Sequence, residues 1–174
     1  MAAEADEDEI DGKCHPLCAC KSCSSIAESP KKTKDVILTK PFNINAVDSE
    51  GYSALHVAAR YNHVELIKIL LDNGAKINLK SNAGETPLHV ACGHRKFNAI
   101  KTLLTLSQVD IIDLKDNNGE TVLFHAVKTD NLPLVNLLLL HEPNPKLRNL
   151  NGELAIDVAK KKFFLAVVKV LEKS

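Results

Sequence analysis

Four glycines, Gly51, Gly84, Gly119 and Gly152, stand 33, 35 and 33 residues apart, and each opens the same phrase: GYSALHVAAR, GETPLHVACG, GETVLFHAVK and GELAIDVAKK. A second apolar phrase follows each one: HVELIKILLDNGA, KFNAIKTLLTLS, LPLVNLLLLHEP and LAVVKVLEKS. A period of this length means one supersecondary unit stacked on copies of itself, because a single unit cannot bury its own apolar face. The unit reads as turn, short helix, longer helix. The turn glycine supplies a positive φ. Thr86 suits the cap of the first helix, with Pro87 in the first turn where its missing N–H costs nothing. Leu55, Ala58, Leu66, Ile69 and Leu70 place apolar atoms at helical spacing on faces that need a neighbour.

From about residue 41 to 174 these residues resemble the ankyrin repeat, whose TPLH signature is literal at Thr86 to His89. The resemblance implies an all-α ankyrin-repeat solenoid of three full repeats plus caps. Phe42 to Val47 matches the tail of a preceding, incomplete repeat that closes the front of the stack. The second repeat carries two extra residues around LSQVDII, which predicts a longer outer loop. Glu142 and Pro143 stand where the first repeat has Gly74 and Ala75, so that helix is expected to end differently. The last unit stops after its second helix, and its lysines suit a solvent-facing cap. His56 and His89 are expected to bond the turn of a neighbouring unit, and Cys92, in the column of Ala59, to be a small packing residue. His63, His94, His125 and His141 share no metal-binding spacing. No P-loop, nucleophile elbow or dinucleotide fingerprint occurs, so the chain is not read as an enzyme. Ankyrin stacks bind proteins through turn tips and the groove beside the first helices. The exposed tip candidates here are Ser49, Glu50, Tyr52, Asn82, Ala83, Asn117 and Asn118.

Charge enters through its distribution. Twenty-two basic residues balance twenty-two acidic ones, so no net field draws the molecule to nucleic acid or a membrane surface. The amino end is acidic, with Glu4, Asp6, Glu7, Asp8, Glu9 and Asp11, and the carboxyl end is basic, with Lys160, Lys161, Lys162, Lys169 and Lys173. MAAEADEDEI has neither the basic nor the apolar region of a secretion signal. LVNLLLL is far short of the ~20 residues that span a bilayer. The expectation is a soluble, cytoplasmic chain without direct membrane insertion, whose thiols stay reduced.

Four of the five cysteines lie in CHPLCACKSC, as Cys14, Cys18, Cys20 and Cys23. Four thiolates suit one structural Zn²⁺, which takes four tetrahedral ligands and brings no redox chemistry. Ordering ten residues costs on the order of 10–20 kcal/mol of backbone entropy. A structural zinc site contributes roughly 10–16 kcal/mol near neutral pH, so metal and order go together. Disulfides, free thiols in a linker and an iron–sulfur cluster are the competing readings. His15 could replace one sulfur, although four already close the sphere. The loop between Cys14 and Cys18 holds His15, Pro16 and Leu17; Pro16 stiffens it, and Leu17 has no core of its own to enter. An apolar side chain on a rigid tip is a ligand for another protein's pocket. The acidic flank and the absence of an aromatic residue argue against nucleic acid.

This module followed by ankyrin repeats resembles the Varp family of endosomal ankyrin-repeat Rab regulators. In that family, four-cysteine zinc fingernails present a Pro-Leu pair to a hydrophobic pocket on the metallophosphoesterase-like subunit of retromer. The resemblance implies Cys14, Cys18, Cys20 and Cys23 as metal ligands. It makes Pro16 and Leu17 the inserted pair, with His15 beside them, and puts the chain on the cytosolic face of endosomes. A longin-type R-SNARE and Rab GTPases are ligands of the family's two ankyrin sets; this chain carries one set, shorter than the family's. The expected organisation is an acidic disordered leader at 1–12, the zinc module at 13–24, a linker at 25–40, with DVILTK as a short packing helix at its end, and the repeats at 41–174.

Overall fold

The computed structural model describes residues 43–107 and 110–173. The zinc module, the leader, the linker and DVILTK lie outside the described residues. Eight helices follow in pairs: α1 (Ala54–Arg60) with α2 (Val64–Asp72), α3 (Pro87–Gly93) with α4 (Phe97–Leu106), α5 (Val122–Lys128) with α6 (Leu132–Leu139), and α7 (Ala155–Lys161) with α8 (Leu165–Leu171). Seven to ten residues are too few for a helix to persist alone in water, so packing between pairs stabilises them. The first helices stack on one another as an inner layer, α1 on α3 on α5 on α7. The described part is all-α, with only two isolated antiparallel bridges, Val47 with Ser53 and Arg148 with Leu154.

Local chemistry starts several of the helices, although Thr121 makes no side-chain cap bond at α5. Thr86 takes extended backbone and its Oγ1 accepts from the N–H of His89, with Pro87 in the first turn, as the sequence predicts. Asn131 Oδ1 caps α6 by accepting from the N–H of Leu134 at 3.1 Å, ahead of Pro133 in that helix's first turn. The link between paired helices is a single left-handed residue at the same column in every repeat: Asn62, Arg95, Asp130 and Phe163, with φ of 62°, 57°, 49° and 60°. Asn and Asp tolerate this region, whereas a bulky aromatic there is strained. The four turn glycines have φ between 73° and 82°.

The core runs without a break through all four pairs, from Leu55 and Ala58 through Leu88, Ile100, Phe124 and Leu134 to Val167. One register detail departs from expectation. Ile67 and Leu70 are the fully buried residues of α2, and Leu66 and Ile69 are only half-buried. The helix presents its i, i+3 pair to the stack, and the two residues preceding that pair's members lie at the seam's edge. Ile44 packs on the core, and Asn45 Oδ1 accepts from the N–H of Lys76 at 2.8 Å, consistent with a partial repeat at the front.

The end of α6 corrects another expectation. Glu142 adopts φ 51° where Gly74 has 85°, so the left-handed residue survives without glycine. Its N–H still reaches Leu139 O at 3.2 Å, as Gly74 reaches Leu71 O. What is lost is the bond of the following residue, which runs from Ala75 to Leu70 O and cannot form at Pro143 because proline has no N–H. The outer layer, meanwhile, is not continuous: α4 and α6 barely touch. Ser107 and Asp110, which flank the two undescribed residues of the second repeat's insertion, line a small open cleft of about 100 Å³ with Leu104, Ile111, Ile112 and His141.

Candidate functional site

The sequence-predicted ligand and docking residues, Cys14, Cys18, Cys20, Cys23, His15, Pro16 and Leu17, lie outside the described residues. The turn-tip candidates are described, and they divide. In each repeat an Asx or Ser side chain folds the tip: Asp48 Oδ1 accepts from Glu50 and Tyr52 N–H at 2.9 and 2.8 Å, and Asp116 Oδ1 from Asn118 and Glu120 N–H, both at 2.8 Å. Successive tips are then stitched together. Asn82 donates through its amide Nδ2 to Ser49 O at 2.9 Å and through its backbone N–H to Glu50 O at 3.0 Å. Asn117 repeats the pattern, to Asn82 O at 2.8 Å and Ala83 O at 3.0 Å. Leu150 keeps only the backbone bond, to Asn118 O at 2.9 Å. Asn82 and Asn117, expected as partner contacts, are therefore inter-repeat ties. Their shared column was the signal that could have shown it. Ser49, Glu50, Asn82, Ala83, Asn117 and Asn118 are all exposed. Tyr52 is half-buried and donates its hydroxyl to Glu85 at 3.0 Å; burial, then this carboxylate, raises its pKa.

Histidines tie the inner helices in the same sense. His56 Nδ1 accepts from the N–H of Ser53 at 3.0 Å, which leaves the ring proton on Nε2 to be donated to Glu85 O, one repeat on, at 3.0 Å. His89 does likewise between Thr86 N–H, at 3.3 Å, and Glu120 O, at 3.2 Å. Burial lowers the pKa of both, and for His89 the adjacent His125 ring adds to it, pushing it down to about 4. The neutral tautomer each bond requires is thus the one present. In the third repeat Phe124 fills this column, and in the fourth Asp157 takes over the cap, accepting from Leu154 N–H at 2.9 Å.

His125 was expected to have no special company, and the fold gives it some. It stands where the other repeats have Val57, Val90 and Val158, its Nε2 lies 3.2 Å from Asp116 Oδ2, and its ring meets His89 edge-on at 5.1 Å. Asp116, Glu120 and His125 form the one group among the described residues whose ligand atoms converge closely enough to hold a cation. Their valences are already engaged: Asp116 serves its own turn and His125, and Glu120 Oε2 accepts from Lys128 Nζ at 2.5 Å. Burial works against the Asp116 carboxylate, but hydrogen bonds from Glu120, His125 and Asn118 outweigh it and lower the pKa. The cluster reads as internal bonding. Cys92 is fully buried and burial pushes its thiol pKa up, the opposite of an activated nucleophile.

The inner face carries a second column. Eight residues after the last tip position, Glu120 meets Lys128 and Glu153 meets Lys161 within one repeat. The first two repeats break this pairing. Tyr52 replaces the acid, so Arg60, exposed at the end of α1, has no ion pair among the described residues. Gly93 replaces the base, leaving a shelf on which an added Cβ would meet only His125 Nδ1, at 3.8 Å. Arg60 and His94 are exposed, and the Gly93 shelf leaves room beside His94.

A stack of helical pairs with tied tips is the architecture of a protein-interaction module. The ankyrin-repeats family model (three copies) matches residues 23–113, and the ankyrin-repeat model matches 118–150. The chain belongs to the ankyrin-repeat family. It is similar to the tyrosine-protein kinase Shark of Drosophila melanogaster, 33% identical over 129 residues covering 74% of this chain and 14% of the kinase. Similarity to the B-cell lymphoma 3 protein homolog of Mus musculus is 31% over 134 residues, 74% of this chain and 30% of that one. Similarity to alpha-latroinsectotoxin-Lt1a of Latrodectus tredecimguttatus is 32% over 100 residues, 56% of this chain and 7% of the toxin. The chain spans less than a third of the length of each of these relatives. No helix among the described residues is long and apolar enough to cross a membrane.

Proposed function

We propose that this chain is a non-enzymatic adaptor with two binding elements, an ankyrin stack that holds one protein along its inner face and a zinc-organised knob that docks on another. The observation that carries the first element is Arg60, which has no ion pair among the described residues, near the open Gly93 shelf, in a column where the later repeats neutralise their own charges. An extended segment bearing a carboxylate fits there, since a guanidinium takes a carboxylate in two parallel hydrogen bonds. A longin-type R-SNARE or a Rab GTPase is the candidate ligand, by the resemblance to the Varp family.

The second element rests on the order of residues in CHPLCACKSC. Cys14, Cys18, Cys20 and Cys23 would hold one Zn²⁺ as a closed four-sulfur site, which is structural because no coordination position is left open. His15, Pro16 and Leu17 would then form the tip that enters the hydrophobic pocket of the metallophosphoesterase-like subunit of retromer, on the cytosolic face of endosomes. Burial of Leu17 contributes only ~1.5–3 kcal/mol, and micromolar affinity, about −8 kcal/mol, is the ceiling for one such knob.

The test separates the two elements. The zinc-loaded full chain is titrated calorimetrically against purified retromer and, separately, against the cytosolic part of a longin-type R-SNARE. Leu17→Asp is expected to abolish the first heat alone and Gly93→Glu, which fills the shelf with a like-charged carboxylate, the second alone. Retromer binding that survives Leu17→Asp leaves the alternative, a generic ankyrin binding module whose zinc site is purely structural or oligomerising.

A further inference from the structure

The fourth helix pair carries solvent-facing lysines, as expected, with two large apolar side chains exposed among them. Phe163 is 83% exposed and Leu165 71% exposed, the first in the left-handed region at φ 60°. Its counterpart in the first repeat, Asn62, reaches into the next repeat, where its Oδ1 accepts from the N–H of Ala99 at 2.9 Å. Phe163 therefore stands on the face that elsewhere receives a neighbour, holding a strained backbone conformation that an Asn would adopt without cost. Around it, residues 160–173 carry five lysines against one acid, Glu172. Lys160 pairs with Glu172 at 3.3 Å and Lys161 with Glu153, while Lys169 has no ion pair among the described residues.

The same chain holds a segment of complementary chemistry. Residues 4–11, EADEDEID, bring six carboxylates, no base and one large apolar residue, Ile10. We infer that residues 4–11 dock in cis on this terminal face, Ile10 against Phe163 and Leu165 and the carboxylates among the lysines. Reach permits it. Three steps of ~8–10 Å separate the first repeat from the last, and residues 12–42 span up to about 100 Å when extended. Even with 13–24 gathered around a metal, 25–42 alone span up to about 60 Å. The consequence is positional: the latch brings the CHPLCACKSC motif beside the fourth repeat, at the far end of the stack from where the described chain begins.

The experiment is zero-length carbodiimide cross-linking of the zinc-loaded full chain at low micromolar concentration, read by peptide mass spectrometry of the monomer band. Cross-links from residues 4–11 are expected to concentrate on Lys160, Lys162 and Lys169. Their yield should fall about fivefold or more in 0.5 M salt, where the screening length shrinks to a few ångströms. Phe163→Asn is the matched variant, because it removes the apolar contact while easing the backbone; it should stay folded by circular dichroism and lose most of the cross-link. Cross-links spread evenly to Lys68 and Lys101, an unchanged yield in Phe163→Asn, or cross-links confined to a dimer band, which would make a second copy the occupant, each overturn the inference.

Discussion

His89 donates its Nε2 proton to the carbonyl of Glu120, 31 residues away, at 3.2 Å, while its Nδ1 accepts from the N–H of its own helix cap, Thr86. One buried ring thus closes a helix and couples it to the next repeat. Replacing it by Ala removes both bonds, although the Glu120 carbonyl keeps the N–H of Asp116 at 2.9 Å. Loss of a cap costs about 0.5–2 kcal/mol and loss of the bond between repeats about 0.5–1.5. His89→Ala is expected to lose about 1–3 kcal/mol in urea unfolding, with the second and third repeats affected most in hydrogen exchange.

The same rings make stability depend on pH. An unfolded histidine takes up a proton near 6.5, whereas His89 in the fold does so only at about 4 and His56 also below its ordinary value. Between pH 6.5 and 4 the unfolded chain binds more protons than the native one, so stability falls as pH drops through that window. Above 6.5 both states are neutral and the effect vanishes. The interval of His89 corresponds to about 3 kcal/mol at the acid end. Asp116 acts outside this window, because its contribution is lost only as its carboxylate becomes protonated below the ordinary range. Urea midpoints at pH 7.5 and 4.5 should differ, and the difference should shrink in His56→Gln/His89→Gln.

The turn glycines differ in what they tolerate. A Cβ on Gly84 would lie 2.6 Å from Asn117 N and 2.3 Å from its Oδ1, whereas one on Gly152 meets nothing within 4 Å. Both alanine variants carry the left-handed penalty of roughly 1–2 kcal/mol. Only Gly84→Ala also displaces the tie between tips, adding an overpacking cost of about 1–3 kcal/mol. Thermal unfolding should therefore rank Gly84→Ala well below Gly152→Ala; equal losses would contradict the stitching of the tips.

In 0.5 M salt, where residues 4–11 are released, Phe163→Asn should raise stability. The change relieves a left-handed aromatic, a gain of up to about 1–2 kcal/mol, or a few degrees in Tm. At low salt the lost contact with Ile10 offsets that gain; a fall in Tm in 0.5 M salt would contradict the strain at Phe163.

Much of this architecture was legible in the residues, for a physical reason: a repeat writes each constraint several times. Gly51, Gly84, Gly119 and Gly152 announced the turn, Thr86 and Pro87 the helix start, and His56 and His89 the tie to the next unit. What escaped was information that only the stacked neighbour supplies. Which of Leu66, Ile67, Ile69 and Leu70 is buried depends on the rotation of α2 against α4, and two apolar pairs flanking Lys68 do not encode it. Asn82 and Asn117 are exposed, as read, but their role as ties escaped because their partners are backbone carbonyls 33 and 35 residues away. His125 looked unremarkable until its column was compared with Val57, Val90 and Val158, the change that puts it beside Asp116. The cysteine motif supports a zinc site and a displayed Leu17 by chemistry and spacing, and its retromer partner only by the resemblance to the Varp family.

The central claim, that a metal-held knob joins this stack to a second protein, is tested most directly by native mass spectrometry of the full chain with and without the purified retromer subunit. The account expects one zinc ion per chain and a one-to-one complex that keeps it. A chain that carries no metal yet forms the same complex would contradict it.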